Sequence, residues 1–281
     1  SAHQVSPFGA RGANTGFQDV DNLGWKLKLV LDGVAPERLI DTYSEERAFA
    51  ADDNLLNSTR STDFITPKNA MSRRYRNAVL ELAETVPGIR PLVNSGRLST
   101  PTPYAHSSLN TPDDGAWNGR MTPGTNCDDA PVEIAGEADW LLKQLGRSFV
   151  VLVFGDAPVE PVFTDKVGAI VLRVGPDIGD PEGLVAARYD GRPGTTYLIR
   201  PDQHVAARWR SFDASQIAVA IRRACGGEKP PPPPPPPRRG GGGGGGGPGI
   251  RRKRQSQRSM PSPSSGLRPP SPRTRGEGLR R

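Results

Sequence analysis

The residues best placed to do chemistry stand at the very start of the sequence, in Ser1-Ala2-His3-Gln4-Val5-Ser6-Pro7-Phe8-Gly9-Ala10-Arg11-Gly12-Ala13-Asn14-Thr15-Gly16. Gly9, Gly12 and Gly16 carry no Cβ, so the backbone there can come close to a ligand. If this loop opens a helix, the N–H groups of the first turn point at that ligand, and the helix end attracts negative charge. Spacing alone equally allows a Gly-rich turn before a core helix. No rival constellation stands out. His3, His106 and His204 share no ligand spacing with Cys127 and Cys225, so neither a metal site nor a catalytic triad can be read. Trp25 with Lys26 reads as helix packing rather than a stacking or cation site.

The element that must carry the loop follows directly. Phe17, Val20, Leu23, Leu27, Val30, Leu31 and Val34 recur at spacings of three and four, which predicts a helix with one apolar stripe, stopped by Gly33. Asp19 and Asp21 are expected in its first turns, with Lys26 and Lys28 further on, as the helix dipole prefers. A second helix is expected from Pro36 to about Leu56, and a third from Ala70 to Thr85, before Pro87-Gly88. Residues 94 to 132, rich in Ser, Thr, Pro, Asn and Gly, read as a long irregular surface connection.

The pattern then changes. Trp140 to Leu145 reads as a short helix ended by Gly146, and Phe149 to Phe154 as a strand buried on both faces. Further strands are expected at Ala169 to Val174, Thr196 to Ile199 and Val205 to Trp209, then a closing helix capped by Asp213. Alternating helix and strand over this length make one α/β domain.

Charge divides the chain again. Of 281 residues, 37 are Lys or Arg and 30 Asp or Glu, for a net charge of +7, yet the whole excess lies beyond residue 227 and the first 227 residues are net acidic. The tail from Glu228 to Arg281 holds few large apolar side chains and is expected to be disordered. Pro230 to Pro237 should form a polyproline II rod, Gly240 to Gly247 a coil, and Arg251 to Arg254 a basic patch. Homopolymeric Pro, then Gly, then Arg/Ser/Pro is also what a shifted reading of GC-rich DNA would encode. Two cysteines suit a reducing cytoplasm, and no apolar run approaches the ~18 residues of a membrane span.

From Ser1 to Arg47 the sequence resembles the second flavin-contacting segment of the FAD-dependent aromatic hydroxylases, the class A flavoprotein monooxygenases. The resemblance rests on Ala2-His3, Pro7 to Asn14, Asp19 to Leu27, and Asp41-Thr42-Tyr43-Ser44-Glu45-Glu46-Arg47, in that order. It implies that Pro7, Gly9, Ala10, Arg11, Gly12, Ala13 and Asn14 contact FAD. The amides of Gly12, Ala13 and Asn14 would face the pyrimidine edge of the isoalloxazine, and Pro7 would sit beside the reacting ring. Where the family often has Pro two residues after Glu-Arg, Phe49 stands here, so one long helix is expected. The family's Gly-Asp dipeptide and Gly-x-Gly-x-x-Gly fingerprint, which precede this segment, are absent, and the chain reads as the C-terminal part of such an enzyme.

Arg200-Pro201-Asp202-Gln203-His204-Val205-Ala206-Ala207-Arg208-Trp209 resembles the last hairpin of the same enzymes, whose C-terminal domain is thioredoxin-like. At the thioredoxin redox position Gly155 to Glu160 contain no Cys, which excludes disulfide exchange. The implied architecture is α/β: the helical end of a Rossmann-like FAD-binding domain (1–93), a connection (94–132), a thioredoxin-like domain (133–227) and the tail (228–281). The implied activity is NAD(P)H-dependent hydroxylation of a phenolic ring through a flavin C4a-hydroperoxide, with O₂ and a small aromatic substrate as partners and a homodimer allowed. This chain alone is expected to be inactive. An alternative from another class is a non-enzymatic interaction protein whose basic tail binds nucleic acid in a salt-sensitive way.

Overall fold

The computed structural model describes residues 11–93, 100–113 and 115–227. Pro7, Gly9, Ala10 and the whole tail therefore lie outside the described residues, as does the side chain of Arg11. Helix α1 spans Arg11–Leu31 and ends as the sequence requires. Gly33 takes φ +68°, its N–H bonding Val30 O at 3.0 Å while Val34 N–H reaches Leu29 O at 2.9 Å, the paired closure of a Schellman motif. Helix α2, Arg38–Ile65, runs through Phe49 and ends nine residues beyond the expected Leu56, just before Pro67. Helix α3 occupies Ala70–Thr85, capped by the Asn69 side chain accepting from Ser72 N–H, and a short α4, Arg90–Val93, follows a 3-10 turn.

Two expectations about α1 are corrected. Because the helix already starts at Arg11, Gly12 and Gly16 lie inside it, and Asp19 and Asp21 are well past its first turn. Most of its apolar stripe lies off its packing face: Phe17, Val20 and Leu31 are 74%, 70% and 76% exposed, whereas Val30 packs on the core. The buried positions are Thr15, Asp19, Asn22 and Lys26, with Trp25 beside them. Asp19, Asn22 and Lys26 can turn inward here because each meets a hydrogen-bonding partner there.

The second half is built on a five-stranded sheet of order β4-β5-β3-β6-β7, from Val162–Phe163, Gly168–Val174, Phe149–Phe154, Thr196–Ile199 and Val205–Trp209. β3 pairs parallel with β5 and antiparallel with β6, and all six of its residues are buried. Its alternate side chains feed two cores. Phe149, Val151 and Val153 pack with α6 (Ala214–Ala224) and with Trp25 of α1 and Leu39 of α2. Val150, Leu152 and Phe154 pack with Val185 of α5 (Leu184–Arg188) and with Val132. Asp213 caps α6, its Oδ1 accepting from Ser215 and Gln216 N–H.

Two further differences concern short elements. Trp140 ends a strand rather than starting a helix: β1 (Pro131–Ile134) and β2 (Glu137–Trp140) form a hairpin, and Leu141–Gln144 follow as a 3-10 turn. The hairpin turn places Ala135 and Gly136 at φ 52° and 85°, the doubly positive geometry that suits a right-handed strand twist. The connection that should lie on the surface instead buries Tyr104, Ser107, Leu109, Met121 and Cys127. It covers an edge. Thr111 N–H donates to Ala206 O, Gly124 N–H to Val205 O, and Val205 N–H to Thr125 O, so the outer side of β7 is hydrogen-bonded without another strand.

Candidate functional site

Three of the residues expected to face a flavin can be placed. Gly12 is half-buried and Ala13 and Asn14 are exposed, all in the first turn of α1, where the N–H groups point out of the helix end. No acidic residue stands in that turn to neutralise the positive end of the dipole. The backbone at Gly12 to Asn14 thus offers N–H donors and partial positive charge, which fits the electron-rich edge of a reduced flavin.

Behind this turn, residues from four stretches of sequence converge in a buried charge cluster. Arg47, on α2, donates from Nε to Asp19 Oδ1 at 2.7 Å, from Nη1 to Tyr104 Oη at 2.8 Å and Gln18 Oε1 at 3.2 Å, and from Nη2 to Thr15 O at 3.3 Å. One residue earlier on α2, Glu46 is the hub. Its Oε2 accepts from Asn22 Nδ2 and Lys26 Nζ, both at 2.7 Å, and from Arg200 Nη2 at 3.0 Å. Its Oε1 accepts from Arg200 Nη1 and Ser107 Oγ, both at 2.5 Å. Arg200 also holds Asp202, with Nε donating to Oδ1 at 2.9 Å, and its guanidinium lies 5.3 Å from the Trp25 ring centre. His204 stacks on Tyr104 at 4.6 Å.

The electrostatics balance. Lys26 and Arg200 face Glu46 and Asp202, two cations against two anions, all essentially shielded from water. Burial alone would push the Glu46 carboxyl up, but Arg200 and Lys26 hold it below the usual carboxylate range. Asp202 is likewise held down by Arg200 and His204 against its burial. Burial brings Lys26 down to about 8 although Glu46 opposes this. Tyr104 is pushed up to about 12 by burial, with Arg47 opposing. A cluster this saturated and buried holds elements together. Cys127 and Cys225 are also pushed up to about 12 by burial, which makes both poor nucleophiles at neutral pH. Among the described residues no group of three or more His, Cys, Asp or Glu is arranged to hold a metal.

From the sequence, Asp19 and Lys26 carry only helix-dipole and packing roles, and Glu46, Arg47 and Arg200 only places in motifs. Thr15, Asp19, Asn22 and Lys26 lie four, three and four residues apart, a polar stripe opposite the apolar one, which reads as a solvated face until its partners are seen. Arg47 was one end of a motif and Arg200 the start of another; neither spacing reveals that they meet the same helix. Lys26 belongs to the charge cluster and not to simple helix packing.

Comparison with known proteins gives this arrangement its context. Residues 1–58 match the family described as FAD binding domain. A 4-methyl-5-nitrocatechol 5-monooxygenase of Burkholderia sp is 30% identical over 238 residues, 77% of this chain and 40% of the relative. The rebeccamycin biosynthetic enzyme RebC, solved with reduced flavin, is 26% identical with a TM-score of 0.55 over 80% of this chain and 43% of RebC. The flavin-dependent monooxygenase PieE, solved with FAD and substrate, shares the fold with a TM-score of 0.62 at 22% identity, covering 80% of this chain and 46% of PieE. The chain spans about 40% of the length of the curated relatives it matches. Through residues 1–58, and through sequence and fold over some four-fifths of its length, the chain resembles the FAD-dependent aromatic hydroxylases.

Proposed function

We propose that the whole protein is an FAD-dependent monooxygenase that hydroxylates a phenolic ring, using O₂ and NAD(P)H in the cytoplasm. The observation that carries this reading is the first turn of α1, which lies inside the segment matched by the FAD-binding family and presents its amides outward with no acidic side chain among them. Pro7, Gly9, Ala10, Arg11, Gly12, Ala13 and Asn14 are the residues assigned to the flavin. Bound FAD would supply the oxygen chemistry. The chain's own part is to present N–H donors at Gly12 to Asn14 and to stabilise negative charge on the ring through the helix dipole. Residues 1–93 would complete the FAD domain, and 133–227 would serve as a thioredoxin-like structural domain, since no thiol stands at Gly155 to Glu160.

The relative from Burkholderia sp acts, by its name, on a nitrocatechol, which makes catechols and simple phenols the first substrates to test. The test is to purify the whole protein, at the length of its relatives, and follow NADH and NADPH oxidation in air with these compounds. The reading requires bound FAD, nicotinamide oxidation stimulated by at least one phenol, and a product that has gained one oxygen atom. Purification without flavin, and no flavin uptake on titration, would refute it. The 281-residue chain by itself is expected to show no turnover.

A further inference from the structure

The first two turns of α1 are fastened differently from the rest of the helix. Among the described residues, the members of α1 that join the hydrophobic core are Trp25, Leu29 and Val30, all in its C-terminal half. Phe17 and Val20 point outward and are 74% and 70% exposed. Toward the N-terminus, the buried residues are Thr15 and Asp19, and the single guanidinium of Arg47 grips the backbone carbonyl of the first and the carboxylate of the second. Arg47 is 1% exposed, and its Nη1 is braced by Tyr104 Oη, which is itself stacked on His204 of the β6–β7 hairpin. Three of its nitrogens thus reach four acceptors on two elements, an arrangement that a planar fork can make and a point charge cannot.

We propose that Arg47 is a positioning residue for the flavin site: it sets the height and tilt of the first turn of α1, and so the placement of the Gly12 to Asn14 amides against the flavin. This rests on the flavin reading of that turn. The dipole of a helix end acts only over short range, and hydrogen bonds to an anion weaken steeply with misalignment. A loosened first turn therefore weakens flavin binding and lowers the reduction potential, because the reduced, negatively charged ring loses more than the oxidised one.

The test compares Arg47→Ala, Arg47→Lys and the unchanged whole protein, with Asp213→Ala as a control. Asp213→Ala removes the cap of α6, whose carboxylate bonds Ser215 and Gln216 and no part of the Arg47 grip, and so lowers stability by another route. Three quantities are read: the FAD dissociation constant, the flavin reduction potential, and, in the 281-residue chain without flavin, amide exchange over residues 15–20. The inference expects Arg47→Ala to weaken FAD by about tenfold, the scale of a strong helix-dipole interaction. It expects a lower potential, faster exchange over residues 15–20, and an intermediate response from Arg47→Lys, which keeps the charge beside Asp19 but not the fork. Asp213→Ala should leave all three unchanged. If Arg47→Ala does not fold, Arg47→Lys carries the comparison. Unchanged protein that binds FAD, with Arg47 variants matching it in affinity and potential, overturns the inference and leaves the flavin reading intact. Unchanged protein that binds no FAD overturns both.

Discussion

Glu46 accepts five hydrogen bonds from four residues, Asn22, Lys26, Ser107 and Arg200, and is sealed from water. Removing its charge leaves the buried Lys26 ammonium without its ion-pair partner and Arg200 with Asp202 alone. Glu46→Gln should therefore cost about 3–5 kcal/mol in urea unfolding, the range for breaking a buried pair from one side. Lys26→Met should cost far less, because Glu46 keeps both bonds from Arg200 and the burial of an ammonium is relieved. The pH dependence follows with opposite signs at the two ends. Glu46 and Asp202 are held below their ordinary values of 4.5 and 3.8, so their contribution is complete above those values. It is lost as the pH falls below them toward the lower folded values, because the unfolded chain takes up protons first. Lys26, at about 8 against an ordinary 10.5, binds its proton more weakly when folded, so between those values stability rises with pH. Urea midpoints across both windows check this. Lys26→Met should abolish only the alkaline rise, and Glu46→Gln should reduce the acid loss.

At the scale of elements, α1 shows both how far a sequence can be read and where reading stops. Its existence and its Gly33 stop follow from residue types that need no tertiary partner. Its orientation does not. The apolar periodicity of Phe17, Val20, Leu27 and Leu31 predicts an inward face, but the distant partners of Asp19, Asn22 and Lys26 come from residues 20 to 180 positions away, so the polar stripe wins the interior. The strand β3 is legible because a fully buried strand is a plain apolar run, and the partly buried β5 still shows the apolar run Ala169 to Leu172. The β1–β2 hairpin is not, since its Ala135-Gly136 turn lacks the Asn or Asp that usually marks that geometry. The exposed face of α1 yields a direct expectation. Phe17→Gln or Leu31→Gln in the 281-residue chain should change unfolding free energy by less than about 0.5 kcal/mol, and light scattering should show less self-association, as fits removal of apolar surface.

Across the whole molecule, the described residues belong to one compact unit within Ser1–Pro232, and the β6–β7 hairpin is where its parts meet. Arg200 and Asp202 reach α1 and α2, while Val205 and Ala206 bond the irregular connection through their backbones. That connection could be recognised as irregular from its composition, but its burial depends on an edge strand more than seventy residues later. Gly124 marks how closely it is fitted. At φ +90°, an added Cβ would stand 2.5 Å from the Tyr104 carbonyl. Gly124→Ala should destabilise the protein by roughly 1–3 kcal/mol, the scale of a strained left-handed residue. Because Tyr104 braces Arg47, the tyrosine ring should also become more mobile, which is measurable as broadened aromatic resonances.

The central claim is that α1 presents its first turn to FAD. Amide hydrogen exchange over residues 11–16 in the whole protein, compared with and without FAD, tests it most directly. The account predicts clear slowing at these amides on flavin binding, centred on Gly12 to Asn14. Bound FAD with exchange there unchanged, and protection arising elsewhere, would contradict it.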